Sequence, residues 1–82
     1  MNFSEQIDNI RTVLGNSYVV FDTFDVLDNS YTLRIDRIGA IWHLKMRFTS
    51  SEIMMMGGSF VGAVCRRVVS EYSNFIMRGA PE

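Results

Sequence analysis

Hydrophobic residues recur along this chain with two different periods, and the changes of period divide it into segments. Near the start, Phe3, Ile7, Ile10 and Leu14 follow one another at spacings of four, three and four, which is one stripe of a helix. Asn2 and Glu5 have capping-box spacing, and Gly15 stands where a helix end turns left-handed. The pattern predicts a helix over residues 2–14. Between residues 17 and 48 the period falls to two. "YTLRID" alternates Tyr31, Leu33 and Ile35 with Thr32, Arg34 and Asp36. "IWHLKMRF" alternates Trp42, Leu44, Met46 and Phe48 with His43, Lys45 and Arg47. Both patterns predict strands with one buried face. "SYVVFDTFDVL" predicts a first strand with Val20, Phe24 and Val26 inward and Asp22 on the same face, near an end. Asp28-Asn29 suits a tight hairpin turn, because both residues tolerate positive φ.

The second hairpin allows two registers. Gly39-Ala40 matches a two-residue turn with glycine first, and sets Arg34 opposite Lys45. A turn on Ile38-Gly39 sets Arg34 opposite His43 and Ile35 opposite Trp42. Turn chemistry favours the first, and cross-strand charge favours the second. The registers differ by two residues, so the inward and outward sets are the same in both.

The last third returns to a helical period. Thr49 and Glu52 form a second capping-box pattern, with Phe48 and Ile53 at hydrophobic-staple spacing. Gly57-Gly58 then interrupts or bends the helix, and Ser59 is a fresh N-cap candidate. Val61, Val64, Cys65, Val68, Val69, Tyr72, Phe75 and Ile76 fall within about 140° of a helical wheel. Gly79 ends that helix. An unbroken helix from 50 to 78 would run about 43 Å, well beyond strands of about 25 Å. The expected fold is therefore α+β, in the order α-β-β-β-α-α: an N-terminal helix, a three-stranded antiparallel sheet, a short helix and a long C-terminal helix, with the helices on one sheet face. One domain over 1–82 is expected.

Composition narrows the function classes. The 82 residues carry a net charge of −1, so no strong non-specific attraction to nucleic acid or anionic membrane is expected. No run approaches the ~20 apolar residues of a membrane span. One cysteine, Cys65, cannot form an internal disulfide; a cytoplasmic location and a buried thiol are expected. His43 is the only histidine and has no sequence partner for a triad or zinc site. Asp22, Asp25 and Asp28 alternate faces on a strand and do not converge. No catalytic, cofactor or metal residues are expected.

Two surfaces remain as candidates. Met54, Met55 and Met56 are successive helical residues about 100° apart, so they cannot all face one core. Methionine suits adaptable protein contacts. Phe21 and Ile41 point outward on the sheet and extend this candidate for a protein partner. The alternative is the basic outer face, Arg34, His43, Lys45 and Arg47, for nucleic acid. Asp25 can share a cross-strand row with Lys45, and Asp36 lies close to Arg34. Gly58 and Gly62 are spaced for close packing of the helix on the sheet, while the wide stripe with Val69 and Ile76 is compatible with a homodimer. The element order resembles that of double-stranded-RNA-binding domains. Those carry a lysine-rich start to the last helix, where this chain reads "TSSEIMMM", so the resemblance stops at fold order. The reading that follows is a small non-enzymatic protein-binding module, an inhibitor, adaptor or subunit.

Overall fold

The computed structural model describes residues 3–79. The chain runs α1 (Phe3–Leu14), β1 (Tyr18–Asp25), β2 (Ser30–Arg37), β3 (His43–Thr49), α2 (Ser50–Met56), a 3₁₀ turn (Gly57–Ser59) and α3 (Phe60–Met77). The sheet is antiparallel in the order β1-β2-β3. The helices pack on one of its faces, and α1 also packs on α3. Asn2, the expected cap of α1, lies outside the described residues. Gly15 has φ +77, a conformation that glycine adopts without penalty.

The inward residues of the two period-two stretches meet the helical stripes. Leu33, Ile35, Trp42 and Met46 are buried with Ile7, Ile10, Val64, Cys65, Val68 and Tyr72. Phe60 is fully buried and stacks its edge on Phe48 with ring centroids 5.1 Å apart. It lies one helical turn before Val64, on the stripe expected to start at Val61. Val69 and Ile76, expected within that stripe, are exposed, because the core contact of α3 is narrower than the apolar arc.

The first strand departs from expectation at its far end. Its turn is a four-residue loop, 26–29, with Asn29 alone at positive φ, in place of a tight Asp28-Asn29 turn. Val26 and Leu27 are 78% and 96% exposed, and Phe24 is 43% exposed on the helix side of the sheet. Among the described residues no helix covers Val26 and Leu27. Asp25 does not face Lys45. Its Oδ1 instead accepts the Leu27 and Asp28 N–H groups at 3.0 and 3.4 Å and shapes the loop.

The second hairpin takes the register with Arg34 opposite Lys45 and Ile35 opposite Leu44. Its turn puts Gly39 (φ +84) third, with the Ala40 N–H donating to Arg37 O at 3.2 Å. That is the type II position for glycine rather than the glycine-first turn expected. Two cations thus stand side by side, and Asp36 relieves them through an ion pair to Arg34 at 2.9 Å.

The Thr49 capping box forms in full. Thr49 Oγ1 accepts the Glu52 N–H at 3.1 Å, and Glu52 Oε1 accepts the Thr49 N–H at 2.9 Å. Thr49→Ala is expected to cost about 1 kcal/mol in chemical unfolding, since one helix-end donor loses its partner. The helix breaks at Gly57, whose φ of 53 and ψ of −127 are closed to residues with a side chain. Ser59 is not an N-cap. Its backbone is already helical, and its hydroxyl donates back to Met56 O at 2.7 Å, closing the end of α2. Counted through this break, Ser50–Met77 reaches a mean hydropathy of 1.2, which passes for a membrane-span candidate by length and composition only. Val64, Cys65, Val68 and Tyr72 of that stretch are core residues.

Candidate functional site

The helix break builds a groove. With α2 turned away from α3 at Gly57, a cleft of about 670 Å³ opens between α1 and α2. Phe3, Gln6 and Val13 line it from α1, Tyr31 from β2, Ile53 and Met54 from α2, and Gly57, Gly58 and Val61 from the turn and α3. The lining is mostly apolar, and the size falls in the range that accepts a ligand or a partner's side chains. Gln6 is buried, and its Nε2 donates to Gly57 O at 3.3 Å, tying α1 to the break. The apolar surface continues out of the groove. Phe3 stacks on Tyr31 with ring centroids 3.8 Å apart, and Tyr31 packs on Phe24 at 4.6 Å. Phe24 leads to the exposed loop of Val26 and Leu27.

Of the residues expected to meet a partner, only Met54 lines this groove. Met54 and Met55 are 81% and 87% exposed, while Met56 is half-buried against the core. Phe21 and Ile41 are exposed but belong elsewhere. Phe21 pairs with Arg34 on the outer sheet face, and Ile41 sits in the second turn, beside a shallower hollow with Val19, Arg34 and His43. Neither joins the methionines. Gly58 does not pack closely on anything, since open space surrounds the place of its Cβ. At Gly62 the nearest neighbour is the Arg66 side chain.

The basic face is partly neutralised. Arg34 pairs with Asp36, and Arg47 with Asp28. Lys45 and His43 are exposed without a charged partner among the described residues. The three spaced aspartates do not converge: Asp22 meets Arg11, Asp25 shapes its loop, and Asp28 meets Arg47. No group of His, Cys, Asp and Glu among the described residues is arranged to hold a metal ion. Cys65 is buried, and desolvation pushes its thiol pKa up, which keeps it protonated and unreactive at neutral pH.

Two functional-looking residues escaped the sequence reading. Gln6 stands at core spacing with Phe3, Ile10 and Val13, a polar residue on an apolar helical stripe, and that was a readable signal. Arg37 was not readable. Its guanidinium lies 5.0 Å from the Tyr18 ring centre and 4.8 Å from that of Tyr72, beside Trp42. These residues come together only in three dimensions. No family model matches this sequence, and neither curated proteins nor solved structures gave a match.

Proposed function

We propose that this chain is a small, non-enzymatic protein-binding module that docks on another protein through the α1–α2 groove, with Met54 at its rim. The observation that supports this reading is the apolar lining of the groove, which brings the exposed Met54 together with the half-buried Phe3 and Tyr31, with the exposed Phe24 packed on Tyr31 at the groove's end. Flexible methionine at such a rim suits contact with a partner of irregular shape.

The test begins with capture of partners from the source cells with and without nuclease, followed by affinity measurement on the protein recovered. Met54→Asp is expected to weaken that affinity about tenfold or more by placing a charge in a desolvated contact. Met55→Asp, outside the groove, and Arg34→Glu, on the far face, are expected to change it less than about twofold. The opposite ranking, together with recovery that depends on nucleic acid and falls steeply with salt, would establish the outer face as the binding surface. Sedimentation of the free protein decides whether the exposed Val69, Ile76 and Met77 of α3 pair two copies.

A further inference from the structure

We propose that the free edge of β3 accepts an extended acidic segment of a partner protein as a fourth strand. This is a second contact surface, separate from the groove. The argument starts from the hydrogen-bond alternation of the sheet. Arg37 N donates to Trp42 O at 3.4 Å, so these two form a bonded pair. In an antiparallel ladder bonded pairs recur at every second residue, which makes Ile35 with Leu44, Leu33 with Met46, and Tyr31 with Phe48 the others. The backbone groups of His43, Lys45, Arg47 and Thr49 therefore point away from β2. The capping box takes the Thr49 N–H. The backbone groups of His43, Lys45 and Arg47 bond to no other element among the described residues.

The opposite edge is guarded at Val20. Ile38 N donates to Ser17 O at 2.9 Å, which turns the Val20 carbonyl to the outside of β1. Arg11 reaches from α1 and donates to that carbonyl at 2.8 Å while also contacting Asp22 at 3.4 Å. One edge is thus guarded by a side chain and the other is open. An open edge is a template for a further strand.

Charge selects the occupant. The exposed side chains on the open strand are His43, Lys45, Arg47 and Thr49, and Arg34 stands beside Lys45 on the next strand. The outer face of these two strands carries three cations and a single acid, Asp36; Asp36 pairs with Arg34 and Asp28 of the adjoining loop pairs with Arg47, so Lys45 is the cation left without an ion pair among the described residues. An added strand would set alternate side chains against the unpaired Lys45 and its neighbours His43 and Arg47, where carboxylates are favourable and cations are not. A second copy is disfavoured: pairing of β3 with itself opposes cation to cation, and pairing with the β1 of another copy meets Arg11.

The probe is a blocked seven-residue peptide of alternating valine and glutamate, followed by amide exchange and chemical shifts of the intact protein. The expected result is slowing of exchange at His43, Lys45 and Arg47 by about tenfold or more, with no slowing on β1. The lysine counterpart of the peptide, and a glutamate peptide methylated at alternate amides, are expected not to bind. Lys45→Glu, an exposed change that leaves the fold intact, is expected to lower affinity for the glutamate peptide about tenfold and to favour the lysine peptide. Met54→Asp is expected to leave this binding unchanged, which separates its failure from that of the groove. No protection at these three amides at millimolar peptide would overturn the proposal. Equal binding of both peptides would do the same, as would a uridine oligonucleotide that produces the same shifts with steep salt dependence.

Discussion

Replacing Phe60 by alanine is expected to lower the unfolding free energy by about 3–5 kcal/mol. Phe60 is fully buried at the start of α3, with Phe48 of β3 at 5.1 Å and Phe3 of α1 at 6.3 Å between ring centroids. It therefore touches the helix on one side and the sheet on the other, and none of these elements can close over the gap without moving another. A domain of this size holds roughly 5–10 kcal/mol in total, so the loss is a large share of its stability. The measurement is urea unfolding, where the midpoint should fall with little change in slope. Phe24→Ala is the internal control, since Phe24 is half in water and should cost much less. Similar costs for the two would show that Phe60 does not occupy the centre of the core.

Replacing Gly57 by alanine is expected to cost about 1–3 kcal/mol and to alter the groove. There is open space around the place of a Cβ, so the penalty is not a clash. It comes from the backbone: φ +53 with ψ −127 is a region that only glycine enters freely. The chain can escape the strain by letting α2 continue into α3, which would pull Gly57 O away from Gln6 Nε2 and change the cleft. Gly58→Ala tests the specificity of the argument. Gly58 has no positive φ and equally open surroundings, so that variant is expected to be neutral or to stabilise by about 0.4–1 kcal/mol. Unfolding of both variants, with amide shifts of Gln6 and Ile53 as the report on the groove, distinguishes the cases. Equal effects at the two glycines would mean that the break is set by something other than the φ of Gly57.

Much of the fold was legible because its signals are local. The spacing of Phe3, Ile7 and Ile10 marks one helix, and the alternation in "YTLRID" and "IWHLKMRF" marks two strands. Thr49 with Glu52 marks a cap whose two hydrogen bonds both form. Each of these depends on residues within four positions of one another, where backbone geometry alone relates side chains. The breakdown at Val26 shows the limit. Its apolar character suited an inward position, but inward has meaning only where a helix covers the sheet, and among the described residues none covers that loop. Ser59 shows the same limit at a helix end. A serine before an apolar run signals a cap, yet here the hydroxyl serves the carbonyl behind it, because the turn at Gly57 already leads the backbone into α3.

The candidate sites divide in the same way. That the three methionines could not all be buried followed from the helical angle alone, and the outward set of Arg34, His43, Lys45 and Arg47 followed from strand alternation. The tertiary structure decided which of these residues share a surface. Met54 joins Phe3, Tyr31 and Val61 around a groove, whereas Phe21 and Ile41 lie on another face. It also set the register that puts Arg34 beside Lys45, the hold of Arg11 on the Val20 carbonyl at the β1 edge, and the seat of Arg37 between Tyr18 and Tyr72. Periodicity states which side of its own element a residue occupies. It carries no information about what stands opposite, since that depends on how the chain packs over separations as long as the 51 residues between Gln6 and Gly57.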